Sequence, residues 1–345
     1  MVFDLSGGID PSKELVLAER PQIANFRDAV NVWIESSNYQ VAMRIGVEAV
    51  TEEWDAHDTW LDIAFSNGRV LSRRGNNPTH PALDETGQPT IRGAGPMKFQ
   101  CIKPFERWTV SFNGTASETS AENLIWQKSP ADARDVDVEF SLDMSMAAPP
   151  WIPGSLRKEA AEAMGGKQGD YMSPRYEQLF RVTGTLKVED QLIDLSGCGL
   201  RIRRQGVREL QGFWGHCWQS AVFPSGKAFG YCIYPPRSPD DNNYNEGFIF
   251  DGNKRLAAKA VQVPWLRKLV VSGEDVPFVL ETEDGKQFAI SGTTFINTRS
   301  LGHASLPADF PIVQQAHAKY IWDGEETSGM IERSSLPDLV SFPDQ

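Results

Sequence analysis

The chain has 345 residues, 40% hydrophobic and 23% charged, which suffices for two ordinary domains or one large one with a buried core. A formal net charge of −12 excludes a broad basic surface for nucleic acid or anionic membrane. The first residues, Met1-Val2-Phe3-Asp4-Leu5, carry no basic region and lead into no long apolar run. No signal peptide or membrane insertion is therefore expected, and the expected location is the cytoplasm.

In chain order, the segment from Asn25 to Glu35 can hold a turn or two of helix, following an N-terminal extension over 1–24. Residues 40–47, 59–65 and 135–142 alternate apolar and polar, the period of strands with one buried face. Turn residues separate such runs at Ser66-Asn67-Gly68, Asn113-Gly114, Val188-Glu189-Asp190, Pro224-Ser225-Gly226 and Glu283-Asp284-Gly285. A short helix is expected over 155–164, capped by Ser155 and stopped at Gly165-Gly166. With the proline-rich stretch before it, this helix suggests a boundary, giving a first β-domain over 25–165 and a second over 166–345. Asp240 to Asn245 reads as a solvated loop without calcium-ligand spacing. Many short strands and few helices predict an all-β protein of barrels or curved sheets.

Chemistry-bearing residues concentrate in Gly197-Cys198-Gly199-Leu200-Arg201-Ile202-Arg203-Arg204, followed by Arg208, Trp214, His216 and Trp218. On an extended strand Arg201 and Arg203 share one face and Arg204 and Arg208 the other. Such arginines can clamp an oxyanion or pair with Glu177, Glu209 or Asp194. Trp214, His216 and Trp218 alternate, so a strand would set them on one face, as a pocket wall or as core packing. Tyr176, Glu177 and Gln178 lie on an entering strand. Glu177 would serve as a base if burial raised its pKa, or would pair with an arginine. Tyr231 and Tyr234 could meet the tryptophan strand across a hairpin. Glu332 is expected to be exposed. The four cysteines, Cys101, Cys198, Cys217 and Cys232, lack metal-ligand spacing. Free thiols are expected, although neighbouring strands could bring Cys217 to Cys232. No nucleophile elbow, phosphate loop or dinucleotide motif occurs, so neither a metal nor a cofactor is expected.

Tyr176-Glu177-Gln178, Val182-x-Gly184-x-Leu186-x-Val188, Gly197-x-Gly199-x-Arg201 and Cys217-Trp218-Gln219-Ser220-Ala221 together resemble the second domain of lipocalin-like proteins related to carotenoid 1,2-hydratase and AttH. Arg44-Ile45-Gly46, Asn67-Gly68-Arg69 and Pro104-x-x-x-Trp108 resemble the first domain. The resemblance implies two lipocalin-like β-barrels or curved sheets packed together with few helices, enclosing apolar cavities. Where that family has Asp-His-Ser-Trp, this chain has Ile202, Arg203, Arg204 and Gln205.

The resemblance implies a cofactor-independent lyase or isomerase that hydrates, dehydrates, shifts a double bond or cyclises a hydrophobic molecule such as an isoprenoid, steroid or polyketide in a barrel cavity. The lost Asp-His pair leaves a non-catalytic binder of a hydrophobic metabolite as the alternative. His216, Glu177 and Arg201 are the catalytic candidates. Trp214, Trp218, Tyr176, Gln178, Arg203 and Tyr231 are the candidates for substrate binding. The expected partner is a hydrophobic small molecule, and the expected assembly is a monomer or homodimer.

Overall fold

The computed structural model describes residues 4–126, 133–165, 172, 174–209, 212–238, 242–301 and 310–342. Its first ten strands are β1 Phe26–Ser36, β2 Val41–Val50, β3 Ala56–Phe65, β4 Arg69–Pro78, β5 Ile91–Ala94, β6 Met97–Lys103, β7 Arg107–Ser120, β8 Asp135–Met146, β9 Arg175–Val188 and β10 Gln191–Val207. They form one sheet in the order β4-β3-β2-β1-β10-β9-β8-β7-β6-β5. The start of β4 also pairs with the end of β7, which curls the sheet back on itself. The remaining strands are β11 His216–Val222, β12 Ala228–Ile233, β13 Asn245–Phe250, β14 Arg255–Gln262, β15 Phe278–Thr282, β16 Gln287–Leu301, β17 Ile312–Trp322 and β18 Glu325–Ser335. They close into an antiparallel barrel in chain order, β18 pairing with β11. Among the described residues, two short helices, α1 Ala121–Ile125 and α2 Lys158–Met164, lie outside the sheets. The expectation of an all-β protein of barrels or curved sheets therefore holds, with one sheet curled back on itself and the other a closed barrel.

Several local expectations change. The segment read as helical turns from Asn25 is strand β1, because its Val, Trp and Ile alternate between two buried faces. Asn113-Gly114 sits inside β7 rather than at a turn. Helix α2 begins after Arg157 without a side-chain cap, so Ser155 does not cap it. Residue 165 falls between β8 and β9 of one continuous sheet, and the change of sheet comes between Val207 and His216. Asp240 and Asp241 lie outside the described residues.

Burial shows how the barrels meet. Strand β8 alternates exposed and buried along its length, as one wet face requires. Strands β1 and β2 are buried on both faces. Their inner residues, among them Val30, Val32, Met43 and Ile45, join the core of the first barrel. Their outer face meets the second barrel through a cluster that includes Trp33, Leu200, Ile202, Trp218 and Cys232. A third cluster, with Phe229, Tyr231, Phe278 and Tyr320, fills the second barrel.

The glycines that open the arginine-rich segment serve this packing. A Cβ on Gly197 would stand 1.9 Å from the carbonyl oxygen of Glu35, and one on Gly199 would stand 2.0 Å from that of Trp33. They let β10 lie close against β1.

Candidate functional site

Strand pleat decides which side chains reach the space between the barrels. On the first barrel the outer positions are Asn31 of β1, Arg44 and Glu48 of β2, Asp58 and Trp60 of β3, Arg74 of β4, Arg175 of β9, and Ile202 and Arg204 of β10. Opposite them stand His216 and Trp218 of β11, Cys232 of β12, Gln315 of β17 and Glu332 of β18. Together with Arg208, Phe213, Tyr234 and Phe310, they enclose a cavity of about 340 Å³. Gly46 makes room for one wall, since a Cβ there would meet Trp60 Cζ2 at 2.3 Å and Asn31 Cβ at 2.6 Å. Closing the second barrel brings His216 opposite Ser334 and Trp218 opposite Glu332.

His216 and Glu332 form a titratable pair in the cavity. Ser334 Oγ accepts the backbone N–H of His216 at 2.9 Å and lies 2.5 Å from its Nδ1. A hydroxyl both accepts and donates, so Ser334 can serve Nδ1 whether or not that nitrogen carries a hydrogen. Nε2 donates to Glu332 Oε1 at 3.0 Å, while Gln315 Nε2 donates to Oε2 at 2.6 Å. Burial pushes the Glu332 carboxyl up, but the hydrogen bond and charge of His216, with Arg44 and Gln315, outweigh it and hold the group at about 2.

Five arginines line the same space. Arg175 pairs with Glu177 at 2.6 Å, and Arg74 lies 3.5 Å from Asp62. Arg44 sits between the rings of Trp33 and Trp60, 5.0 and 5.3 Å from their centroids, and burial lowers its pKa to about 10. The pKa of Arg204 is driven well below its ordinary value by burial and then by the neighbouring cations Arg208 and Arg175. Burial likewise raises the carboxyl of Asp58.

The candidate residues named from the sequence divide between faces. His216 and Trp218 line the cavity. Glu177 lies behind the wall, where its Oε2 accepts Trp218 Nε1 at 3.0 Å. Burial raises its carboxyl against the opposing pull of Arg175. Arg201, Arg203, Tyr176 and Gln178 point the other way, into the mouth of the first barrel. There Arg201 donates to Glu14 and to Gln178, both at 2.8 Å, and Tyr176 also donates to Glu14. Arg203 pairs with Asp28, which also holds Arg92. The short turn Pro11–Glu14 thus inserts a carboxylate into that mouth.

Trp214 precedes β11, so it does not extend the alternating face. Its Nε1 donates to Pro235 O at 2.7 Å, and its ring packs on Tyr234. Tyr231 points into the second barrel, where Gln219 donates to its hydroxyl at 2.6 Å. Cys217 shares that interior while Cys232 faces the cavity, so the two thiols lie on opposite faces. All four cysteines are free and buried.

Glu332, expected to be exposed, instead lies largely buried beside His216. Arg44, Trp60 and Gln315 were not singled out as ligand contacts. A polar residue within a strand covered on both sides is the signal that marks Arg44 and Gln315.

Solved structures share this fold. A protein assigned as AttH from Nitrosomonas europaea matches with a TM-score of 0.56 at 14% identity, over 90% of this chain and 92% of its own. CghA crystallised with Sch210972 matches at 0.55 and 10% identity, over 96% and 97%. Kievitone hydratase from Nectria haematococca matches at 0.52 and 10% identity, over 93% of each chain. Comparison with curated protein sequences finds no match. A family profile described as a domain of unknown function (DUF7064) matches residues 28–337.

Proposed function

The chain belongs to the DUF7064 family, and from its inter-barrel cavity we propose that it is a cofactor-independent lyase or isomerase acting on a largely apolar small molecule. The observation that carries this reading is the His216–Glu332 pair, joined at 3.0 Å inside a cavity walled by Trp60, Trp218, Phe213 and Tyr234. A site of this kind orients a flat apolar substrate and presents one exchangeable proton to it. In dehydration the pair takes a proton from carbon, whose bonding electrons form the double bond, and a proton returned to the departing hydroxyl lets it leave as water; hydration reverses those steps. In a double-bond shift the proton returns to a different carbon. The fold supports the same class: one neighbour is named kievitone hydratase, and another was solved with the small molecule Sch210972. The cavity lies between the barrels rather than inside either one, where clusters of core side chains pack.

A second reading, a binder without turnover, is favoured by one observation. Both ring nitrogens of His216 are engaged, and a carboxylate held at about 2 is a weak base. One experiment separates the two. The protein is incubated with a small-molecule extract in deuterated water, and compounds are followed by mass spectrometry. A lyase or isomerase places solvent deuterium on carbon in a protein-dependent manner. His216→Ala should slow that labelling by about 10²–10⁴-fold. Retention of a compound on the protein without label identifies a binder and refutes the catalytic reading.

A further inference from the structure

Resting on the cavity being the ligand site, we infer that its ligand carries an oxyanion, a carboxylate or its equivalent, on a flat apolar body, and that Arg204 holds the anion. The carboxylates near Arg204 are already engaged: Glu48 by Arg27, Glu177 by Arg175, and Glu332 by His216 and Gln315. Arg204 is buried to 4% exposure, makes no ion pair among the described residues, and has a buried Nε without a hydrogen-bond partner. A buried guanidinium in that position lacks the compensation that folded proteins ordinarily supply.

The cations Arg208 and Arg175, which share the cavity lining, act on Arg204 more strongly than the carboxylate of Glu48 does. Asn31, itself 4% exposed with an unpartnered Oδ1, stands on β1 between Ile202 of β10 and Gly46 of β2. Arg204 and Arg44 are therefore diagonal neighbours of Asn31 on its two sides. Nε and Nη1 of Arg44 also lack partners. The guanidinium fork suits a planar oxyanion. The rings of Trp60 and Trp218 complete a site for an aromatic or polycyclic acid.

The test uses two probes with the same aromatic body, 8-anilino-1-naphthalenesulfonate, which is anionic, and N-phenyl-1-naphthylamine, which is neutral. Each is titrated by fluorescence into the full chain, into Arg204→Met and into Trp218→Ala, with folding checked by circular dichroism. The expected result is that Arg204→Met weakens the anionic probe by about tenfold or more and leaves the neutral probe within about twofold. Trp218→Ala should weaken both. If Arg204→Met changes neither probe while Trp218→Ala weakens both, the anion assignment falls and the cavity stands. If neither probe binds the wild type, or Trp218→Ala changes neither, the cavity reading falls and the anion assignment with it. Should Arg204→Met not fold, displacement of the neutral probe from wild type decides. Benzoate acting at a concentration about tenfold below benzamide supports the assignment, and equal potency overturns it.

Discussion

Glu332→Gln gives the sharpest energetic handle on the cavity. The variant keeps size and shape but removes the charge that Nε2 of His216 and the amide of Gln315 address, at 3.0 and 2.6 Å. A carboxyl held at about 2 instead of its ordinary 4.5 is a statement about stability. The folded value is the lower one, so the contribution is fully present above the unfolded pKa and is lost as pH falls through the folded one. Its size is about 3 kcal/mol near neutral pH, falling to about 1 kcal/mol at pH 3. Urea unfolding of wild type and variant at pH 7, 5 and 3 measures it. The expected outcome is a gap of about 3 kcal/mol at pH 7 and 5 that narrows markedly at pH 3. A gap that is absent, or that does not change with pH, refutes the ion pair as described.

The other outcomes follow from single contacts. Glu177→Gln strands Arg175 in the barrel interface and should cost about 3–5 kcal/mol in urea unfolding; near-wild-type stability would show that the pair is dispensable. Glu14→Ala should cost a similar amount by orphaning Arg201, yet leave binding of the neutral naphthylamine probe unchanged, because that cluster lies away from the cavity. Gly46→Ala drives a methyl against Trp60 and should lose about 1–3 kcal/mol in denaturant unfolding together with probe affinity; unchanged affinity would remove Trp60 from the site.

The fold was largely legible because strand period survives wherever one face is wet. Residues 135–142 alternate cleanly and lie within β8, whose outer side stays exposed. Legibility fails where the barrels touch. Along β10 every residue from Cys198 to Arg204 is buried, so polarity no longer reports which face is inward. Arg201 and Arg203 were correctly separated from Arg204 by parity. Which pair faced the cavity depended on β10 pairing with β1 and β9, information that no local pattern holds. His216 stood out because histidine is scarce in this chain and its strand is aromatic. Its partner Glu332 lies 116 residues away and arrives through the closing β11–β18 pair, a long-range pairing without a sequence signature. Trp214 shows the opposite failure: its spacing fits the alternation, but the strand begins only at His216.

The claim that function resides between the barrels rests on two residues at opposite faces of one hairpin, Trp218 toward the cavity and Tyr231 toward the second barrel's interior. The direct measurement is the affinity of the neutral naphthylamine probe for Trp218→Ala and for Tyr231→Phe. Trp218→Ala should weaken binding by about tenfold or more, in keeping with the loss of a central aromatic contact, while Tyr231→Phe leaves it unchanged. Binding that survives Trp218→Ala but is lost in Tyr231→Phe would place the ligand inside the second barrel and contradict the account.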